Sequence, residues 1–244
     1  NRIGVYGLMT SIYLAIDKGL TIEEVDKLTG PISGRAKSAT FRTADVVGLD
    51  TLKNVSLTTY NKATQDEERE MFNIPKILDQ LIDSNRLGQK TRSGFYKKNE
   101  DKSLSSVNLR SGEYGPISKV FFDCFRVAKD RQSLSRKLKA LCYGDDKGSK
   151  YFWEVTAKTL IYSANRIPEI SDDIVNIDNA MKWGFGWEMG PFESWDAIGL
   201  KKSVTKMKNE GMKIPNWVIE MIKLGRNSFY ITENGSKCYW CPIN

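Results

Sequence analysis

This chain contains an internal repeat, in which Phe, Asp and Gly-Leu recur at one fixed spacing and limit the folds it can adopt. The two copies are Phe41, Asp45, Gly48 and Leu49, and then Phe192, Asp196, Gly199 and Leu200. Around each copy, the sequence predicts a long helix, a capped helix, a glycine-containing loop, the repeat helix, a helix that begins at Ile-Pro and an aromatic strand. Because the order is shared, a tandem duplication of one helical domain explains the chain better than chance similarity does. We therefore predict a mainly α protein with two similar helical domains and short aromatic strands.

The acidic residues of the repeat give its register. Asp26 precedes Asp45 by 19 positions, and Asp178 precedes Asp196 by 18, so the loop between them differs by one residue. Because Asp45 and Asp196 occupy equivalent places in two copies, we interpret them as structural residues rather than as a catalytic carboxylate pair.

The same register aligns the start of the chain with the second copy. Asn1 lies 25 residues before Asp26, and counting back 25 residues from Asp178 reaches Trp153. The predicted counterpart of Asn1 therefore lies near Trp153, and Asn165 is excluded although it begins a second Asn-Arg-Ile triplet.

The repeat also predicts the domain boundaries. We expect a first helical domain over 1–98, a polar connector rich in Ser, Gly and Asn over 99–116, and a second helical domain over 117–244. "GFYKK" is expected to close the first domain as a short strand, and Asn234-Gly235 predicts the turn of a terminal hairpin.

Cap signals predict where individual helices begin. Thr21 and Glu24 form a capping-box pattern, and Ser171 is the predicted N-cap of the helix that follows it. In the two repeat helices, Pro191 suits a first helical position, whereas Thr40 is expected to cap through its hydroxyl.

Composition indicates a soluble globular protein, because 40% of the 244 residues are hydrophobic and 27% are charged. No apolar run approaches the roughly 20 residues that span a bilayer, and the N-terminus has no signal-peptide pattern. We expect a cytoplasmic protein without a membrane span. Because the first residue is Asn rather than Met, we also expect the chain to be part of a longer one.

The net charge of +7 allows two interpretations. It is typical of a protein that binds polyanions, and it is also typical of a lysine-rich, solubilising surface. The densest basic stretch, 129–141, favours the second interpretation, since Leu134, Leu138 and Leu141 fall on one helical face opposite the cations. A basic all-helical interaction module that binds nucleic acid or protein remains the alternative function.

The four cysteines include one CxxC pair, Cys238 and Cys241, which is compatible with zinc or redox chemistry. The chain has no histidine, and the CxxC segment has the pattern of a strand, on which residues three apart point to opposite faces. We therefore expect free, buried or half-buried thiols and no metal site.

No complete active site is visible in these residues. A nucleophilic triad would need Lys or a carboxylate as its base, because histidine is absent. In the segment 184–190, "GFGWEMG", the last glycine comes one residue later than in the dinucleotide-binding GxGxxG pattern. The segment also follows a helix instead of a strand.

The motifs resemble a known family. "NRIG…GLTIEEVDKLTGPISGRAKSATFRTADVVGLDTL" followed by "LGQKTRSGFYKK" is similar to the C-terminal region of 3-hydroxyacyl-CoA dehydrogenases. The segment "YSANRIPEISDDIVNIDNAMKWGFGWEMGPFESWDAIGL" resembles the second copy of that domain in the multidomain enzymes of fatty-acid β-oxidation. The implied fold is the helical C-terminal domain of this family, which is similar to that of 6-phosphogluconate dehydrogenase.

The resemblance implies a partner domain and a reaction. An N-terminal Rossmann domain of the same chain would hold NAD and the catalytic histidine, while the helical copies close over an acyl-CoA substrate. It would convert 3-hydroxyacyl-CoA to 3-oxoacyl-CoA, and this chain alone is expected to be inactive. Whether an enoyl-CoA hydratase domain is fused to the parent protein is left open. Nucleic acid is not an expected partner.

Two site residues follow from the resemblance. Asn1 matches the family's Asn in an "NR" followed by an apolar residue, which lies beside the reacting oxygen of the substrate. Lys90 matches the Lys of the "KTGxGFY" segment, which lies near NAD. Arg92 replaces the first Gly of that segment. Without these roles, Asn1 would be a helix cap and Lys90 a solvated surface lysine.

Overall fold

The computed structural model describes residues 1–233 and 236–242, which divide into two compact units. Unit 1 contains Asn1–Ile32 and Ala36–Phe122, and unit 2 contains Ser33–Arg35 and the chain from Asp123. The predicted mainly α fold is confirmed. No helix within the described residues has both the length and the apolar character needed to cross a membrane.

Unit 1 consists of five helices followed by a small sheet. The helices are α1 Arg2–Lys18, α2 Ile22–Leu28, α3 Phe41–Val47, α4 Leu49–Lys62 and α5 Lys76–Asp83, with 3-10 turns at Arg69–Phe72 and Gln89–Thr91. The strands are β1 Tyr96–Lys98, β2 Leu104–Val107 and β3 Tyr114–Pro116. They form an antiparallel sheet in the order β1-β2-β3, with Lys97 opposite Ser105 and Ser106 opposite Gly115.

The core of unit 1 lies between the helices and the start of β1. Met9 and Ile12 of α1 are fully buried, as the helical spacing of its apolar residues predicts. Phe41 of α3 meets Phe95 edge to face, with ring centroids 4.7 Å apart. This ring pair packs the repeat helix against the residue that precedes β1.

Unit 2 repeats the helical order and then forms two paired strands. Its helices are α6 Asp123–Lys129, α7 Leu134–Cys142, α8 Lys147–Asn165, α9 Ile174–Phe185, α10 Pro191–Ile198, α11 Leu200–Asn209 and α12 Asn216–Lys223. Strands β4 Tyr230–Glu233 and β5 Ser236–Tyr239 pair in antiparallel register. The predicted Asn234-Gly235 turn lies outside the described residues. Phe192 and Phe229, at a centroid distance of 5.0 Å, repeat the ring pair of unit 1.

Several local predictions are confirmed. Thr21 and Glu24 form the capping box at the start of α2, and Pro191 occupies the first position of α10. The basic segment is helical from Leu134, with Leu138 and Leu141 buried. All four cysteines are free thiols, two of them buried and two half-buried.

The predicted connector over 99–116 is not an unstructured linker. It contains β2 and β3, and unit 1 continues to Phe122. The sequence of β2, "LSSV", has two adjacent serines and no alternation of apolar and polar residues, so it lacks the usual strand pattern. Its pairing with β1 and β3 comes from the tertiary structure. Helices resume at Asp123 rather than near Ile117.

Two predicted caps are wrong. Ser171 does not cap α9, because Asp173 is the N-cap and accepts the backbone N–H of Asn176. Thr40 precedes α3, but its side chain makes no cap bond. Its hydroxyl is instead paired with that of Thr29 at 2.8 Å.

Trp153 is not the N-terminal counterpart of Asn1. Three residues, 19–21, join α1 to α2, whereas eight residues, 166–173, join α8 to α9. The second linker is five residues longer than the first. A count of 25 residues back from Asp178 therefore stops inside α8, five residues after the position that corresponds to Asn1. Helix α8 begins at Lys147, with Asp146 as its N-cap.

Candidate functional site

Unit 1 is organised around the half-buried carboxylate of Asp26, at the end of α2. It accepts the backbone N–H groups of Thr40, Phe41 and Arg42, at 3.1, 2.7 and 3.3 Å. These are the free donors of the first turn of α3, so Asp26 caps a helix 14 residues away in sequence. The hydroxyl of Tyr96 donates to the same carboxylate at 2.9 Å. Asp26 thus connects α2, α3 and β1.

Asp45 makes the second connection, from α3 to β1. Its two oxygens accept the N–H groups of Phe95 and Tyr96, at 2.8 and 2.9 Å. Gly94 passes so close to this carboxylate that a Cβ there would overlap it. The glycine therefore allows the close approach on which both hydrogen bonds depend.

Unit 2 reproduces this framework. Asp178 accepts the N–H groups of Phe192 and Glu193 at 2.8 and 3.0 Å, and the hydroxyl of Tyr230 at 2.8 Å. Asp196 accepts the N–H groups of Phe229 and Tyr230, at 2.8 and 3.0 Å. The prediction that the duplicated aspartates are structural is confirmed, because each one satisfies backbone donors.

Burial sets the electrostatics of the framework. Desolvation raises the pKa of Asp26 to about 6 and that of Asp45 to about 6, although the backbone N–H bonds act in the opposite direction. The pKa of Asp178 rises to about 7 for the same reason. Burial, followed by the Asp26 charge, raises the pKa of Tyr96 well above its usual value, so its hydroxyl stays a donor.

Asn1 lies at the N-cap position of α1, and its side chain makes no cap hydrogen bond. Only its backbone oxygen serves the helix, by accepting the N–H of Val5 at 2.9 Å. The residue is exposed. The next residue, Arg2, is fixed by an ion pair with Asp66. The helix-cap interpretation of the Asn1 amide is therefore not supported, and the amide is on the surface of unit 1.

Lys90 lies in the 3-10 turn Gln89–Thr91 and pairs with Asp50. Its Nζ is 2.6 Å from both carboxylate oxygens, and 47% of its side chain is exposed. Arg92, which follows this turn, has a φ of +58°. Arg92 thus takes the left-handed conformation that a glycine adopts without steric cost, so a non-glycine residue occupies a position that suits glycine.

The structure does not bring Asn1 and Lys90 together. Arg2 pairs with Asp66, four residues beyond the end of α4, whereas Lys90 pairs with Asp50 in the first turn of the same helix. Asp50 and Lys62, the last residue of α4, are separated by roughly 18 Å, since an α-helix rises 1.5 Å per residue, and Asp66 follows beyond that end. One ligand would contact both residues only if it were extended along α4.

Asp50 is the ion-pair partner of Lys90, and no local sequence signal indicated it. In unit 2 the equivalent position, two residues after Gly199, is Lys201. The segment between Gly225 and Phe229 is three residues shorter than the one between Gly88 and Phe95, so the Lys90 turn has no counterpart. The acid and the lysine are thus present together in one copy and absent together from the other, and this comparison could have identified the pair.

In the described part of the chain, no group of three or more Cys, Asp or Glu side chains is placed to hold an ion. Cys238 and Cys241 are half-buried free thiols.

Comparison with known proteins identifies the same regions. A family model described as "3-hydroxyacyl-CoA dehydrogenase, C-terminal domain" matches residues 1–98 and 158–228. A Bacillus subtilis (strain 168) protein named as a probable 3-hydroxyacyl-CoA dehydrogenase is 46% identical over 240 residues, which are 98% of this chain and 30% of that protein. The chain therefore spans less than a third of that relative.

Two further similarities extend this picture. A Rickettsia prowazekii (strain Madrid E) protein named as a fatty acid oxidation complex trifunctional enzyme is 27% identical over 199 residues, covering 79% of this chain and 26% of that protein. A crystal structure of 3-hydroxybutyryl-CoA dehydrogenase from Escherichia coli K12 substr. MG1655 has a TM-score of 0.58 at 14% identity. That alignment covers 92% of this chain and 59% of the other, and it shows a shared fold.

Proposed function

The chain belongs to the 3-hydroxyacyl-CoA dehydrogenase C-terminal domain family, and we propose that it is the substrate-binding half of an NAD-dependent 3-hydroxyacyl-CoA dehydrogenase. The parent protein oxidises a 3-hydroxyacyl-CoA to the 3-oxoacyl-CoA. The single observation that carries the proposal is the match of the family model to both repeats. The alternative, a basic interaction module, is not favoured, because the basic helix α7 lies outside both matched segments.

We propose that a preceding Rossmann domain provides what this chain lacks. The chain contains no histidine, so the base that takes the hydroxyl proton is assigned to that domain. NAD, when bound there, accepts the hydride. The lengths of the Bacillus subtilis and Rickettsia prowazekii relatives support further domains in the parent chain, and the name of the latter is compatible with a fused hydratase.

The role of Asn1 is to orient the reacting oxygen of the substrate. Its amide can donate to the alcohol or to the developing ketone, and such a placed donor stabilises charge that develops in the transition state. Two observations support this role. The amide makes no cap bond to α1, and Arg2 next to it is fixed by Asp66.

Lys90 fits a neutral oxygen of NAD better than a phosphate. An ammonium group has three donors, and Asp50 already accepts from Lys90 through both carboxylate oxygens. The paired carboxylate offsets the positive charge, while the exposed part of the ammonium retains a donor for a ribose hydroxyl or an amide carbonyl. We therefore assign Lys90 to positioning of the cofactor.

The proposed function is tested by assaying NADH oxidation with acetoacetyl-CoA, using the full-length parent protein and this chain alone. The proposal predicts turnover by the parent and none by the isolated chain. Turnover by the isolated chain would show that the catalytic base is located here after all. A parent protein that binds acyl-CoA without oxidising or reducing it would contradict the assigned reaction.

A further inference from the structure

Unit 1 contains a pocket of about 860 Å³ beside Asp45 and Tyr96, within the size range of small-molecule sites. Its cationic lining residues are Lys37, Arg42, Arg92, Lys97, Lys98 and Lys102. Six cations against the two carboxylates of Asp45 and Glu100 leave a formal charge of +4. Over residues 1–233 and 236–242, none of the six cations is in an ion pair.

One of these cations is held in place by the structural framework. The guanidinium of Arg42 lies 4.3 Å from the centroid of the Tyr96 ring. Tyr96 is fixed in turn by its hydroxyl bond to Asp26 and by its N–H bond to Asp45. Arg42 therefore presents a planar set of donors at the pocket with little side-chain entropy left to lose.

The second repeat provides an internal comparison. It keeps the framework of two aspartates, a phenylalanine and a tyrosine, but changes the pocket. Counting from the shared Phe and Tyr, the residues that replace Arg42, Lys97 and Lys98 are Glu193, Ile231 and Thr232. The cations are therefore not required by the fold, because the same framework forms without them in unit 2. A binding role explains their concentration in one copy.

The lining is not only charged. Val46 is 56% exposed and Leu104 is 39% exposed, and both face this pocket. Exposed apolar side chains beside unpaired cations suit a ligand with phosphate groups and a less polar body. They suit a bare inorganic anion less well.

We propose that this pocket binds the 3′-phospho-ADP end of the acyl-CoA substrate. The choice of ligand rests on the proposed function. A phosphate monoester carries a charge of roughly −1.5 to −2 at pH 7. With its diphosphate, the CoA end carries about −4, which matches the lining. A dinucleotide such as NAD lacks the monoester and matches less well.

The test is calorimetric titration of this chain with CoA, 3′-dephospho-CoA and NAD. We expect CoA to bind at least about tenfold more tightly than 3′-dephospho-CoA, since the monoester contributes much of the charge. Raising the salt from 50 to 500 mM should weaken CoA binding, because the contact is electrostatic. Equal affinities for CoA and 3′-dephospho-CoA, or tighter binding of NAD than of CoA, would overturn the proposal.

Variants locate the binding in the pocket. Arg42→Glu with Lys98→Thr introduces the residues of the second repeat and should weaken CoA binding at least tenfold. The matched control is Lys119→Glu with Lys213→Thr, which makes the same charge change at exposed positions outside helices and strands. Circular dichroism checks that each variant is folded. If Arg42→Glu unfolds the chain, Arg42→Gln with Lys98→Thr replaces it, with a loss of at least threefold expected.

The outcomes separate this proposal from the proposed function. An equal loss of CoA affinity in the pocket and control variants would overturn the pocket assignment and leave dehydrogenase activity of the parent untouched. Pocket-dependent CoA binding by a parent protein without dehydrogenase activity would support the pocket and contradict the reaction.

Discussion

Tyr96 donates its hydroxyl hydrogen bond to Asp26 across 70 residues of sequence, at 2.9 Å. The carboxylate that receives it also caps α3. Tyr230 and Asp178 make the same bond at 2.8 Å in unit 2. The repeated sequence motif is therefore the visible part of a repeated hydrogen-bond network, whose other members come from the capped helix and the aromatic strand.

Removing either tyrosine hydroxyl should destabilise its own unit. Tyr96→Phe and Tyr230→Phe should each lower the free energy of unfolding by about 1.5–3 kcal/mol at pH 7.5, the usual range for a hydrogen bond to a charged group. Urea denaturation measures the loss. Tyr60→Phe is the control, since its hydroxyl bond to Glu70 is exposed and 3.4 Å long, and it should cost less than about 0.5 kcal/mol. Equal effects in all three variants would contradict the role of the network.

Two glycines of unit 2 should respond in opposite ways to alanine. A Cβ at Gly190 would overlap the backbone and side chain of Asp178, so Gly190→Ala should cost at least about 3 kcal/mol or prevent folding of the unit. A Cβ at Gly184, in α9, would meet nothing within 4 Å. Gly184→Ala should therefore raise stability by up to about 1 kcal/mol. Thermal melts measure the melting temperature of both variants. Similar shifts in melting temperature would contradict the close approach of Gly190 to Asp178.

Stability should fall as pH rises through neutrality. Burial raises the pKa of Asp26 and Asp45 to about 6 and that of Asp178 to about 7, above the value of 3.8 in an unfolded chain. The folded state then binds these protons more tightly, so their stabilisation is complete below about pH 4 and is lost as pH rises through 6 to 7. The chain has no histidine to titrate in this interval.

Urea midpoints at pH 5.0 and 7.5 test this pH dependence. The midpoint should be higher at pH 5.0, and Asp178→Asn should reduce the difference between the two pH values. A midpoint that rises from pH 5.0 to 7.5 would show that the hydrogen bonds to these carboxylates outweigh their burial.

The left-handed Arg92 should be replaceable with a gain in stability. Arg92→Gly relieves the φ of +58° and should stabilise unit 1 by about 0.5–1 kcal/mol. Lys98→Gly removes a neighbouring cation from β1, where glycine is unfavourable, and should lower stability by a similar amount. Differential scanning calorimetry should show a higher melting temperature for Arg92→Gly and a lower one for Lys98→Gly. A loss of stability in both variants would argue against a strained backbone at Arg92.

The sequence predicted features that depend on local chemistry or on duplication. The structural role of Asp45 followed from its recurrence as Asp196, and the capping box of Thr21 and Glu24 depends on residues three apart. The cap of α3 could not be predicted in this way, because its acceptor is Asp26 in the preceding helix and not the adjacent Thr40.

Pairing between distant segments could not be predicted from the sequence either. The two serines of β2 give no strand signal, and the strand forms because β1 and β3 offer backbone partners on both sides. Asp50 is 40 residues from Lys90, and only the comparison of the two repeats connects them.

The proposed role of Asn1 in orienting the reacting oxygen of a 3-hydroxyacyl-CoA can be measured through kcat of the full-length parent protein carrying Asn1→Ala. NADH oxidation with saturating acetoacetyl-CoA should fall about 10²–10³-fold, the usual loss for one placed donor, while KM changes little. Asn54→Ala, an exposed residue of α4, is the control and should leave kcat unchanged. A kcat for Asn1→Ala within twofold of the wild-type value would contradict the account.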